Sequence, residues 1–69
     1  MSDSVYKSIE ITGSSKSSIE DAIQGAIKRS NESLHSLRWF EVEQVRGHIV
    51  DGQVDHYQVT LKIGFTLDE

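Results

Sequence analysis

The sequence predicts an α+β fold in the order β-α-β-β, a three-stranded antiparallel sheet with one helix packed on one face. Three observations predict it. Val5–Thr12 alternates apolar and polar residues, and an apolar stripe of helical period follows over residues 19–34. Two further alternating runs, 39–49 and 54–67, flank Val50-Asp51-Gly52-Gln53. Asp-Gly between alternating runs marks a hairpin, because both residues tolerate positive φ. With 69 residues and no linker, repeat or low-complexity segment, the expectation is a single domain over residues 1–69.

Each element follows from its own residues. Met1–Ser4 reads as a short frayed tail. In the first strand Val5, Ile9 and Ile11 fall on one side, and Tyr6, Ser8 and Glu10 on the other. Gly13–Lys16 is turn material. Ser17 and Glu20 fit a capping box, the hydroxyl accepting a backbone N–H while the carboxylate reaches back. Ile19, Ala22, Ile23, Ala26, Ile27 and Leu34 form the stripe, and acidic Glu20 and Asp21 open the helix as its dipole favours. The next strand begins with Phe40 and Val42 towards the helix, then changes parity to Val45 and Ile49; a bulge near Glu43-Gln44 accounts for the change. The last strand is the most regular. Tyr57, Val59, Leu61, Ile63, Phe65 and Leu67 share one face, and His56, Gln58, Thr60, Lys62, Gly64 and Thr66 the other.

Size points to assembly. Ordering a chain of this length costs on the order of 100 kcal/mol, and a small core offsets that narrowly. The chain has no cysteine, which excludes disulfides and thiolate metal sites, and His35, His48 and His56 lack metal-ligand spacing. Partner subunits are the remaining remedy. A net charge of −4 argues against nucleic acid. The absence of an apolar run near 18 residues, or of a charged-then-apolar leader, leads to the expectation of a soluble cytoplasmic protein without a membrane span.

The sheet face away from the helix carries the chemistry. Alternation places Trp39, Glu41, Glu43 and Gln58 there, with Gln44, Arg46 and His48 after the bulge. An exposed tryptophan among polar groups is either an anchor at a subunit interface or a stacking platform for a planar ring whose edge an amide reads. The pattern alone leaves both open. Other signals are weaker. Gly13–Ser18 is too short for a phosphate loop and lacks its second glycine. Glu41 and Glu43 read as solvated or ion-paired carboxylates rather than a catalytic pair, and His35 and His56 as surface residues.

Trp39-Phe40-Glu41-Val42, Arg46-Gly47-His48, Asp51-Gly52, Tyr57-Gln58-Val59 and Gly64-Phe65 resemble the bacterial dodecins. Ile9-Glu10-Ile11-Thr12-Gly13-Ser14 and Ala22-Ile23-Gln24 extend the resemblance over nearly the whole chain. It implies a hollow homododecamer that stores and sequesters flavins without turnover. It further implies FMN or riboflavin, with lumichrome as a variant ligand, stacked in pairs between copies of Trp39. Gln58 then bonds the polar edge of the flavin, and Gln44, Arg46 and His48 lie near its tail or the neighbouring pocket. Coenzyme A is a second ligand implied for bacterial members. Many of these carry arginine directly after the closing Gly-Phe, where this chain has Thr66; that weakens the coenzyme A expectation and leaves Arg29 as a candidate. The competing expectation is a structural assembly module without a cofactor.

Overall fold

The computed structural model describes residues 4–67; Met1, Ser2 and Asp3 of the expected tail lie outside the described residues. The elements are β1 (Tyr6–Ser15), α1 (Ile19–Ser33), β2 (Leu37–Val50) and β3 (Gln53–Thr66). Both strand pairings are antiparallel and the sheet order is β1-β3-β2. The expected β-α-β-β fold holds. β3 is the middle strand, which explains why its alternation is the most regular: Val59, Leu61 and Ile63 are fully buried beneath α1. With Ala22 they form the core, supported by Ile9, Ile11, Ile19, Ile23, Ala26, Ile27 and Leu37. Among the described residues, no helix is long and apolar enough to cross a membrane.

The start of α1 differs from expectation by one residue. Ser18, not Ser17, is the N-cap, and its hydroxyl accepts the Asp21 N–H at 3.0 Å. Asp21, not Glu20, supplies the returning carboxylate, accepting the Ser15 hydroxyl at 2.7 Å. The buried Ser15 Oγ in turn accepts the N–H groups of Ser17 at 2.9 Å and Ser18 at 3.3 Å. This knot carries β1 through the stretch expected to be a turn, as far as Ser15. The helix end matches the vague close near Leu34: Leu34 caps it, its N–H bonded to the Ser30 carbonyl at 2.9 Å. Ser36, at φ 63°, then turns the chain into β2.

The register between β2 and β3 slips between Val42 and Gln44, so Glu43 is the extra residue of the expected bulge. Further slips fall at Leu37/Trp39 and His48/Ile49. Asp51 and Gly52 both adopt positive φ, 53° and 75°, in a two-residue turn closed by the Val50–Gln53 pair.

The coverage of the sheet departs most from expectation. The 15-residue helix is about 22 Å long, whereas a 14-residue strand spans about 46 Å. α1 packs on β1 and β3. Phe40 and Val42 pair with Ile63 and Leu61 and share their side of the sheet, yet remain 48% and 40% exposed. From Arg38 onward every residue of β2 is exposed. The apolar side of the hairpin, with Val45, Ile49 and Val54, is therefore as open as the polar side.

Candidate functional site on the open face of the sheet

The polar face is built from rungs running across three strands. Trp39 stands opposite Gly64, with Ser8 beyond it on β1. Glu41, Lys62 and Glu10 make the next rung, and Gln44, Thr60 and Thr12 another. Arg46, Gln58 and Ser14 follow, and His48 opposite His56 lies nearest the hairpin turn. Trp39 is the one large apolar side chain among these residues.

Gly64 explains the posture of the indole. A Cβ at Gly64 would collide with Cε2, Cζ2 and Nε1 of Trp39, so the ring lies flat against the glycine backbone. Its other surface remains open, and the residue is 41% exposed. A bare backbone beneath an indole fixes one face of the ring and offers the other to a planar ligand.

Arg46 organises the far end. Its Nε donates to the Gln58 Oε1 at 3.2 Å, its Nη1 to the Gln44 Oε1, and its Nη2 to the Thr60 hydroxyl at 3.4 Å. Both amides therefore present their NH₂ groups outward as donors. Thr60 also shares a 2.9 Å hydrogen bond with Thr12, tying the cluster to β1. One rung further, the His48 and His56 rings are stacked with centroids 5.2 Å apart and planes 17° from parallel. His56 Nδ1 meets the Asp55 carboxylate at 2.8 Å; that hydrogen bond, then the charge of Lys16, lowers the Asp55 pKa.

The structure thus brings Gln44, Gln58, Arg46 and His48 together but leaves Trp39 apart from them. Gln58 lies six residues along β3 from Gly64, the partner of Trp39. At the rise of an antiparallel strand that is about 20 Å, beyond a single flavin ring.

Between the two ends is an acidic rung. Lys62 Nζ sits 3.4 Å from the Glu43 carboxylate. Hydrogen bonding to Glu43, and then its charge, raises the Glu10 pKa, while the same hydrogen bond lowers that of Glu43. The interaction thus makes Glu10 the weaker acid of the pair and Glu43 the stronger. The bulge that turns Glu43 towards Lys62 was legible in the sequence; the approach of Glu10 from β1 required the strand order.

One further group escaped the sequence reading, and a second, Arg29, was a candidate from the sequence. Arg38 Nε donates to the Thr66 hydroxyl at 3.1 Å, returning a guanidinium to the place where the expected arginine is missing. Arg29 lines a groove between α1 and β1 with Ile9, Ile11, Ala26 and Leu34, and pairs loosely with Glu32 at 3.7 Å. Among the described residues no group of three or more metal-ligating side chains could hold an ion.

Fold and face together define a class: small α+β proteins with one helix on a three-stranded sheet and an open polar face carrying a stacked indole. The dodecin family model matches residues 5–68, and a dodecin from Thermus thermophilus is 46% identical over 65 residues, 94% of each chain. The chain belongs to the dodecin family. The structure of dodecin from Streptomyces coelicolor is 48% identical, covers 100% of this chain and 99% of its own, and superposes with a TM-score of 0.92. A more distant structure is the calcium dodecin of Mycobacterium tuberculosis, described as calcium chelating with a novel calcium-binding site. It is 29% identical, covers 93% of this chain and 91% of its own, and gives a TM-score of 0.79.

Proposed function

We propose that this protein stores and sequesters flavins without catalysing their turnover, as a hollow cytoplasmic homododecamer that holds them in pairs between Trp39 indoles of adjoining copies. The observation that carries this reading is the Trp39 ring lying flat on Gly64 with its outer surface open, on a sheet face no helix covers. Membership of the dodecin family supports it. Stacking is indifferent to much of the ligand, so FMN, riboflavin and lumichrome are all accommodated. Selectivity falls to Gln58, whose amide donors read the ring edge; a buried group left unpaired there costs roughly 1–3 kcal/mol. Gln44, Arg46 and His48 serve the tail.

The 20 Å separation supports a site shared between copies: the Trp39 and the Gln58 that meet one flavin come from different chains. Assembly is supported independently by the exposed apolar side of β2, where Phe40, Val42, Val45 and Ile49 need a cover that α1 is too short to give. Coenzyme A is a second ligand of the assembled shell, with Arg38 and Arg29 as its phosphate contacts.

Titration of flavin-free protein with riboflavin or FMN tests the reading. Flavin fluorescence is quenched on binding, and Trp39→Ala weakens affinity at least about tenfold. A colourless assembly that leaves flavin fluorescence untouched would instead establish the purely structural module.

A further inference from the structure

Two apolar surfaces on the helix side of the sheet find nothing to pack on within the chain. The first is a groove of about 650 Å³ between α1 and β1, with Ile9, Ile11, Ala26 and Leu34 as its floor and Gly25 and Arg29 on its helical flank. The second is the far end of the hairpin. Val45 pairs with the fully buried Val59, and Ile49 with Val54, yet Val45, Ile49 and Val54 are 50%, 72% and 54% exposed. The two surfaces cannot meet in one chain. Ile9 stands opposite Ile63, nine residues along β3 from Val54, which is about 30 Å. Gly25 has no reason within the chain to be glycine. A Cβ there would meet nothing within 4 Å, whereas one at Gly13 would strike the Ala22 carbonyl oxygen. Glycine weakens a helix, but on an exposed flank it admits the close approach of another backbone. One turn on, the Arg29 side chain is 87% exposed and has only the long contact with Glu32. Asp51, at the tip of the hairpin, is exposed and makes no ion pair among the described residues.

We infer that the groove between α1 and β1 seats the hairpin of a second copy of the chain, with Val45, Ile49 and Val54 on its floor, the hairpin backbone close over Gly25, and Asp51 of one copy beside Arg29 of the other. The inference rests on the assembly reading above but not on flavin, and it names the surface that covers the hairpin. Spacing supports it. Ile49 lies two residues from Asp51, about 7 Å along a strand, and Gly25 four residues from Arg29, about 6 Å along a helix. One placement of the hairpin therefore satisfies the apolar contact and the charge pair together. A second copy is the occupant that fits, because every chain that presents a bare hairpin also presents a groove, and no patch is left over. The contact joins two different surfaces, so it runs head to tail and must close into a ring. The paired Trp39 stack proposed above joins like to like, which by itself only couples chains in twos. A closed shell needs a second contact of the other kind, and the hairpin in its groove supplies it.

The chain has no cysteine, so introduced thiols report without background. Flavin-free protein carrying both Gly25→Cys and Ile49→Cys is treated with a short bismaleimide and separated on a denaturing gel. Each copy is then linked to two others, and the product extends beyond dimers. Either substitution alone gives no linked chains, and the two single variants refolded together stop at linked dimers. An unlinked double variant, or linked dimers from one single variant alone, overturns the inference. A second measurement needs no thiol. Gly25→Gln improves the helix but fills the space the hairpin needs. Sedimentation velocity should show the concentration for half-assembly raised at least about tenfold, with the circular dichroism of the fold retained. Assembly as tight as that of the unsubstituted chain also overturns the inference. If the copies link as expected while riboflavin and FMN fail to bind, the interface stands and the flavin reading falls. If flavin binds fully to an assembly whose thiols never link, the flavin reading stands and the interface falls.

Discussion

At the scale of the residue, Gly64 is as much a part of the proposed stacking platform as Trp39. Gly64→Ala puts a methyl group where the indole lies, and the ring is the partner able to move. The expected outcome is a shifted tryptophan emission and flavin affinity reduced at least about tenfold, with the circular dichroism of the fold retained. Unaltered emission and affinity would contradict the flat indole. The acidic rung gives a second test. Glu10, raised by Glu43, contributes stability at low pH that is lost as pH rises through its folded-state value. Glu43, lowered by Glu10, contributes stability above the ordinary carboxylate value that is lost as pH falls through its folded-state value. Glu43→Gln removes the charge acting on Glu10 and returns its titration towards the ordinary value, readable by carboxyl carbon NMR; a Glu10 titration that does not move would exclude the coupling of the two carboxylates.

At the scale of the element, most of the fold was legible because period, bulge and turn are local properties. The parity change after Val42 pointed to Glu43, and Asp51-Gly52 pointed to the hairpin. The cap was misplaced because Ser14, Ser15, Ser17 and Ser18 all carry a hydroxyl that could cap. The choice among them depends on burying Ser15 against Asp21, a contact made in three dimensions. The coverage error has a different origin. Alternation shows which side of β2 is apolar but not what lies over it, and a 15-residue helix spans only about half a 14-residue strand. Helix-to-sheet distance is set at Gly13, where an added Cβ would strike the Ala22 carbonyl oxygen and approach the Ala26 Cβ to 2.9 Å. Gly13→Ala therefore lifts α1 from β1 and costs about 1–3 kcal/mol, as overpacking does. Urea unfolding measures it, and a midpoint equal to that of the unsubstituted protein would contradict the close approach.

At the scale of the whole molecule, the chain is a long, thin slab, 56 × 20 × 13 Å, with both sides of its hairpin open. Such a shape leaves the apolar residues of β2 open and separates the two halves of the polar face. The sequence placed Trp39 and Gln58 on one face, since alternation decides sidedness. It did not reveal their separation along the strand, because that follows from the pairing of Trp39 with Gly64 rather than from periodicity. The central claim is that a flavin site is completed between copies. Its most direct test is complementation between Trp39→Ala and Gln58→Ala chains, unfolded and refolded together, followed by riboflavin titration. Each variant alone binds weakly, and the mixed assembly recovers a fraction of full-affinity sites in which an intact Trp39 meets an intact Gln58 from another chain. A mixture that binds no better than the two variants measured separately would contradict the shared site.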